Sequence, residues 1–368
     1  MSSPFELADQ WGPLQVVHIY RPQSGLKAIV VIDNVACGPA IGGTRMAPDV
    51  SLLECARLAR AMTFKNAAAG LPHGGAKSVI YQDPSVTDSS KEETMRSFAC
   101  AIRHLEDYIP GPDMGTNERA MAWVNDEIGR AVGLPREIGG IPLDEIGATG
   151  LGVAKAAEVA QQFCDLKLKN ARVAVQGFGA VGQHAARFLA HYGAILVAAS
   201  DSTGTIYDPE GIEVETLMKL KRDGKPVTAM QPGQILGRDE IVGVDCDIWI
   251  PAARPDVLNK DNVNELKAKL VVQGANIPAT LEAEEIMHRK GILCIPDFIA
   301  NAGGVICASV EYHGGNQTVA LDVIGEKVER NTHDVLSKAK ARGILPRSAA
   351  EELAKERVKA AMSLRRWG

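Results

Sequence analysis

The 368-residue chain is 46% hydrophobic and 23% charged, with a formal net charge of −5, which is ordinary for a globular protein long enough to form two domains. No long basic run points to nucleic acid, no apolar run is long enough to cross a bilayer, and Met1–Glu6 lacks the features of a signal peptide. Seven cysteines, odd in number and without a Cys-x-x-Cys pair, argue against a disulfide framework or thiolate zinc site and for a reducing, cytoplasmic protein with no metal.

Two β-rich runs open the chain, Leu14–Tyr20 and Leu26–Ile32, with Pro22, Ser24 and Gly25 between them, the pattern of a hairpin. Gly38-Pro39-Ala40-Ile41-Gly42-Gly43-Thr44-Arg45 reads as a glycine-rich loop. A helix is expected from Ser51, where Leu52, Cys55, Ala59 and Met62 form one apolar stripe and Met62 shares a face with Lys65. Leu71-Pro72-His73-Gly74-Gly75-Ala76-Lys77-Ser78 reads as a second glycine loop running into a short strand, Ser78–Tyr81. A lysine beside paired glycines can be shielded from water. Shielding disfavours its charged form and suits it to acid–base work. Most lysines simply stay solvated, and the run alone does not decide the matter.

An amphipathic helix with Met95, Phe98, Ile102 and Leu105 on one side comes next. The stretch Ile109–Glu118, with two prolines and two glycines, is expected to be a stiff loop holding Asp113, with Thr116 or Asn117 capping the following helix. A turn aspartate that satisfies nearby amides would have the same signature. Composition shifts to glycine and proline at Gly139–Pro142, the expected domain boundary.

Beyond it, strand Arg172–Gln176 enters Gly177-Phe178-Gly179-Ala180-Val181-Gly182, then a helix, then strand Ile195–Ser200 ending at Asp201. Glycines at this spacing allow a tight turn and close approach to a pyrophosphate, the helix N-terminus attracts the anion, and the acid can bond ribose hydroxyls. In that context the triplet points to a dinucleotide. Asp201 leans the cofactor toward NAD, because a carboxylate there would repel a 2′-phosphate, with NADP left open. Ala252, Ala253 and Asn276, at later strand ends, are expected to line the same site. Asn276 and Asn301 could equally be turn asparagines. The rest is helical.

These motifs together resemble the glutamate/leucine/phenylalanine/valine dehydrogenase family, over about Leu26 to Tyr312. They are Gly38–Gly43, Met62-Thr63-Phe64-Lys65-Asn66, His73–Lys77, Pro112-Asp113-Met114-Gly115-Thr116, Gly147-Ala148-Thr149-Gly150, the dinucleotide fingerprint, Gly274-Ala275-Asn276 and Asn301-Ala302-Gly303-Gly304. The resemblance implies an α/β fold of two domains. The first (1–140) would be an α/β substrate-binding and oligomerisation domain and the second (141–335) a Rossmann-type NAD domain. C-terminal helices (336–368) would return to the first.

The resemblance also implies that Lys65 binds the substrate α-carboxylate, Lys77 activates the water that attacks the imino acid, and Asp113 shuttles protons. Thr149 would contact the nicotinamide amide, Asn301 would sit by the substrate, and Ser202 would join Asp201 at the cofactor. The implied reaction is reversible oxidative deamination of an L-amino acid to a 2-oxo acid and ammonia by a homo-oligomer built from dimers. Burial and repulsion from Lys65 should both lower the Lys77 pKa, with Asp113 opposing them.

Glutamate-specific members carry a lysine at the position of Ile41 and a serine at that of Ala308. An unpaired buried glutamate carboxylate would cost several kcal/mol. A pocket of Ile41, Gly42, Met62, Gly111, Val305 and Ala308 therefore favours an apolar substrate such as leucine, valine or phenylalanine. The alternatives are glutamate, accepted through another cation such as Arg45, since Asp201–Gly204, Gly147–Gly150 and Pro112–Asn117 look closer to the glutamate branch, and an unusual amino acid. A remoter alternative is a non-catalytic nucleotide-binding regulator, against which Lys65, Lys77 and Asp113 together argue. Ala180 departs from the asparagine of many members, which puts one cofactor contact in doubt.

Overall fold

The computed structural model describes residues 5–365. They divide into two compact units. One holds the residues up to Pro142, Val305–Ala320 and those from Glu351; the other holds Leu143–Gly304 and Leu321–Ala350.

The first unit contains β1 (Gln15–Arg21), β2 (Leu26–Asn34), β3 (Ala40–Ala47), α1 (Leu52–Ala68), β4 (Gly74–Tyr81), α2 (Asp88–Ala101), β5 (Tyr108–Pro112) and α3 (Glu118–Ile128). Its sheet runs β1-β2-β4-β3-β5. β1 and β2 form the expected hairpin, β2 pairs antiparallel with β4, and β3 lies parallel to both β4 and β5.

Three stretches expected as loops are strands instead. Gly38–Arg45 mostly becomes β3, the Lys77 run is β4 from Gly74 onward, and Ile109–Pro112 belongs to β5. The glycines allow close packing within the sheet rather than a turn. A Cβ on Gly42 would stand 1.7 Å from the carbonyl oxygen of Ala76 on the neighbouring strand.

Strand alternation sends successive side chains to opposite faces. One face packs Ile29, Val31 and Val79 against Cys55 and Ala59 of α1. The other buries Val30, Ile32, Ala76, Ile80 and Tyr108 against Met95 and Phe98 of α2 and Met121 and Val124 of α3. A fully buried side chain of this size contributes about 1.5–3 kcal/mol, so the sheet gives a rigid base for whatever its faces carry. Ser51 caps α1 by accepting from the amide of Glu54, and Asn117 caps α3 by accepting from that of Ala120.

The second unit contains α4 (Leu143–Ile146), α5 (Ala148–Ala160), β6 (Arg172–Gln176), α6 (Ala180–His191), β7 (Ile195–Asp201), β8 (Gly204–Tyr207), α7 (Val214–Arg222), β9 (Gln234–Leu236), β10 (Ile248–Pro251), β11 (Leu270–Val272), α8 (Leu281–Arg289), β12 (Leu293–Ile295) and α9 (Asp297–Ala300). Its sheet order is β12-β11-β10-β6-β7-β8-β9. The five strands from β12 to β7 are parallel, and β8 and β9 are antiparallel. The chain leaves β6 toward β7 and later returns on its other side at β10. That reversal is where doubly wound sheets bind ligands, at the carboxyl ends of the strands.

Helices α10 (Gly303–Tyr312), α11 (Gln317–Arg342) and α12 (Pro346–Ser363) complete the chain. The division departs from the expected blocks. Val305–Ala320 groups with the first unit, and residues 336–350 group with the second. Arg347 explains the latter, since its guanidinium meets Glu284 at 2.8 Å and Asp297 at 2.9 Å inside the second unit. Only from Glu351 does the tail group with the first unit, where Arg357 donates to the carbonyls of Ala67 and Ala68 at the C-terminus of α1.

Candidate active site

β3, β4 and β5 lie in parallel register, with Ile41 opposite Gly75 and Ile109, and Gly43 opposite Gly111. Alternation therefore puts Ile41, Gly43, Arg45, Gly75, Lys77, Ile109 and Gly111 on one face, and Asp113 follows directly after β5. Lys77, only 5% exposed, places Nζ 2.8 Å from Oδ2 of Asp113. Arg45 places Nε 2.9 Å from the same oxygen and also pairs with Glu54.

Burial works to raise the Asp113 carboxyl, but Lys77 and Arg45 outweigh it and hold it below its ordinary value. Asp113 is thus a carboxylate between two cations rather than a turn residue. Its turn is fixed separately: the hydroxyl of Thr116 accepts from the Asp113 amide at 2.9 Å. Gly43 makes room for the pair, because a Cβ there would lie 2.8 Å from Cβ of Asp113 and 3.0 Å from Nζ of Lys77. Lys65 and Met62 are half-buried near the end of α1.

Ile41, Ile109 and Val132 form a separate buried cluster with Ala308 of α10 packed against it. The pocket candidates Ile41 and Ala308 thus come together. Gly111 sits beside them, its absent Cβ 3.1 Å from Cγ2 of Val132, and Val305 is half-buried in α10. Gly42 has the opposite parity and serves strand spacing. Sequence reasoning missed Ile109, Val132 and Arg45 in these roles; strand register would have found the first and the third. It also missed Glu311, whose carboxylate accepts from the amides of Gly133, Leu134 and Ile141 at 2.7, 3.1 and 2.7 Å. Glu311 ties the segment after Val132 to the helix that carries Ala308. Arg45, the alternative cation for a substrate carboxylate, is already engaged by Asp113 and Glu54.

In the second unit, Gly177 follows β6 with φ +95°, a backbone region that glycine adopts without strain. A Cβ on Gly182 would lie 2.1 Å from the carbonyl oxygen of Gly177, whereas nothing lies within 4 Å of one on Gly179. Gly179 caps α6 without a side-chain hydrogen bond, leaving the helix start open to an anion. Phe178 is buried, Val181 is half-buried and Ala180 is exposed. The parallel pairing of β6 with β10 brings Ala252 and Ala253 beside Gly177. These residues fit a dinucleotide pyrophosphate.

Thr149 lies in the first turn of α5, against Gly304. Asn301 donates to the carbonyls of Gly274 and Ala275 and to Oδ1 of Asn276, while its own buried Oδ1 has no protein partner. Ser202 is exposed beside Asp201. Asp201 departs from expectation: Thr203 N and Oγ1 donate to its Oδ1, and Lys221 Nζ and Val227 N donate to its Oδ2. A carboxylate accepts about four hydrogen bonds, so none of its lone pairs is left for a ribose hydroxyl.

The catalytic-domain model of glutamate/leucine/phenylalanine/valine dehydrogenases matches residues 139–366, and the dimerisation-domain model of the same family matches residues 13–130. The chain belongs to this family. It is an amino-acid dehydrogenase of the family that uses NAD or NADP. It is 39% identical to the glutamate dehydrogenase of Aeropyrum pernix over 91% of this chain and 85% of that one. It is also 39% identical to the NADP-specific glutamate dehydrogenase of Saccharolobus shibatae, over 76% of this chain and 69% of that one. Among solved structures it resembles the hetero-hexameric glutamate dehydrogenase of Thermus thermophilus in its leucine-bound form, with 30% identity and a TM-score of 0.83 over 96% of this chain and 90% of that one. These names support the glutamate alternative better than the apolar-substrate expectation, and they leave NAD specificity unsupported. No helix among the described residues is long and apolar enough to cross a membrane.

Proposed function

We propose that the chain catalyses the reversible oxidative deamination of an L-amino acid to its 2-oxo acid and ammonia, through Lys77 and Asp113. The observation that carries this reading is the 2.8 Å contact between Nζ of Lys77 and Oδ2 of Asp113. A proton can cross that distance without a bridging water. Lys77 takes a proton from the water that attacks the imino carbon. Asp113, held in place by Arg45, takes that proton from Lys77 across the contact and passes it to the departing nitrogen, so that ammonia leaves and both groups return to their starting state. Lys65 holds the α-carboxylate, and Asn301 stands beside the substrate.

Gly177–Gly182, Ser202, Ala252, Ala253 and Asn276 hold the dinucleotide, with Thr149 at its nicotinamide amide and Asp201 fixing Thr203 and Lys221 beside the adenosine end. The bound nicotinamide supplies the hydride acceptor. The active form is a cytoplasmic homo-oligomer built from dimers through the first unit.

For the substrate side chain, the cluster of Ile41, Ile109 and Val132 with Ala308 supports an aliphatic or aromatic group. Whole-chain similarity carries less information on specificity than the groups that meet the side chain. Glutamate is the second reading. The relatives' names favour it, and it requires a cation other than Arg45. Steady-state kcat/KM for leucine, valine, phenylalanine and glutamate, each with NAD and NADP, separates the two. A higher value for leucine, valine or phenylalanine is expected, and a higher value for glutamate overturns the apolar reading.

A further inference from the structure

The loop between β11 and α8 carries Ile277 at φ +49°, with its side chain largely in solvent. A β-branched residue is a conformational outlier there, and an exposed side chain gains little packing to offset it. The backbone is held from another side. The Ile277 amide donates to Oδ2 of Asp297, the first residue of α9, at 2.9 Å, and the Asp297 carbonyl accepts from the Asn301 amide at 2.7 Å. The Asn301 side chain donates in turn to Oδ1 of Asn276 at 3.0 Å. Asp297 therefore closes a ring of contacts around the two asparagines.

Its other oxygen, Oδ1, accepts from Arg347 at 2.9 Å, and its amide donates to Oε1 of Gln273 at 3.1 Å. The Arg347 fork also grips the buried Glu284. A planar guanidinium fixes direction as well as charge, so the Asp297 carboxylate is aimed. Thr149 lies against Gly304, three residues past Asn301, which puts the asparagine pair toward the nicotinamide end of the proposed site. Strain of this kind persists where the surroundings impose it, and it concentrates at ligand sites.

We infer that Asp297, aimed by Arg347, is a positioning residue that holds Asn276–Ile277 in a strained conformation and so presents Asn276 and Asn301 to the nicotinamide half of the dinucleotide. This rests on the dinucleotide reading of Gly177–Gly182 and Thr149.

Isothermal titration of the full-length protein with NADH or NADPH, whichever binds more tightly, and with 5′-AMP tests it without turnover. Asp297→Asn keeps one acceptor oxygen where Arg347 and the Ile277 amide use two. It should weaken the dinucleotide about tenfold and leave 5′-AMP, which lacks the nicotinamide half, near its wild-type affinity. Adding Ile277→Gly should recover most of the loss, because glycine takes this φ without strain and needs less holding. Should Asp297→Asn fail to fold, Ile277→Pro decides from an exposed position: proline removes the N–H and locks φ near about −65°, so the same selective loss is expected. An equal loss of 5′-AMP, no recovery on adding Ile277→Gly, or unchanged dinucleotide affinity in Ile277→Pro overturns the inference. A wild type that binds neither nucleotide overturns the dinucleotide reading and the inference with it.

Discussion

Each unit holds an aspartate against a lysine, and the surroundings differ in a way that separates chemistry from recognition. Asp113 faces two side-chain cations, Lys77 at 2.8 Å and Arg45 at 2.9 Å, delivered by neighbouring strands of a rigid sheet. Asp201 meets one cation, Lys221 at 2.7 Å, and otherwise two backbone amides and a hydroxyl. Both carboxyls are held below their ordinary value despite burial that would raise them. Lys77 can give up or take a proton, so the first arrangement can move one along a short path. Asp201 also meets a lysine, but half of its donors are backbone amides that cannot exchange roles and Lys221 is more exposed than Lys77, so the second arrangement is a fixed surface. Similar local pairs therefore serve different ends.

The largest effect should come from removing the proton partner. Lys77→Met is expected to lower kcat by about 10²–10⁴-fold, the usual contribution of a positioned acid or base. Binding of 5′-AMP to the second unit should persist in the same titration. Retained turnover would make Asp113 as static as Asp201 and break the distinction.

A smaller loss should follow from crowding the pair while leaving its groups intact. Gly43→Ala adds a carbon 2.8 Å from Cβ of Asp113 and 3.0 Å from Nζ of Lys77, so the pair must shift. Misplacement on the scale of 1 Å costs about 10²-fold. The expected outcome is a fall of that order in kcat with a melting temperature lowered by only a few degrees, since overpacking costs about 1–3 kcal/mol. An unchanged kcat would show that the 2.8 Å contact is dispensable.

The two regions were also legible in the sequence to different degrees. The strand, glycine turn and helix at Arg172–His191 are local, so spacing alone indicated them. The first unit's site depends on β3, β4 and β5 lying side by side, and glycine- and proline-rich composition disguised all three, in whole or in part, as loops. Their glycines are needed where backbones pack closely, as Gly42 does against Ala76. Lys77 and Asp113 were visible through the family resemblance. Arg45 and Ile109 became visible only once register was known, and Val132 only through its packing against Ile41 and Ile109. Asp201 was found by spacing, but its saturation by Lys221 and Val227 was not, because those partners come from a helix and a loop beyond the next strand.

The apolar cluster offers a third contrast, since the first unit's remaining site surface carries no charge in Ile41, Ile109, Val132 or Ala308. Ile41→Lys should raise kcat/KM for glutamate relative to leucine by about 10–100-fold, the scale of one charged hydrogen bond. It should also lower stability without substrate, because the new ammonium is buried among hydrocarbon. A wild type that already prefers glutamate, with no further gain in the variant, would refute the pocket assignment.

The smallest effect concerns acid stability and compares the two aspartates directly. Asp201 is lowered from its ordinary value of 3.8 to about 2: burial opposes the shift, while Lys221, Thr203 and Val227 together drive it. A carboxyl depressed on folding stabilises the native state above its unfolded pKa, and that contribution fades as pH falls through the folded one. Here the window runs from about 4 down to about 2. Asp201→Asn should therefore melt a few degrees below wild type at neutral pH. The gap should close as pH falls through that window, as followed by circular dichroism. Asp113→Asn should show the same sign, because Asp113 is also depressed, but with a loss of kcat that Asp201→Asn lacks when assayed at saturating cofactor. If both variants lost kcat equally, the division between a proton-moving aspartate and a recognition aspartate would fail.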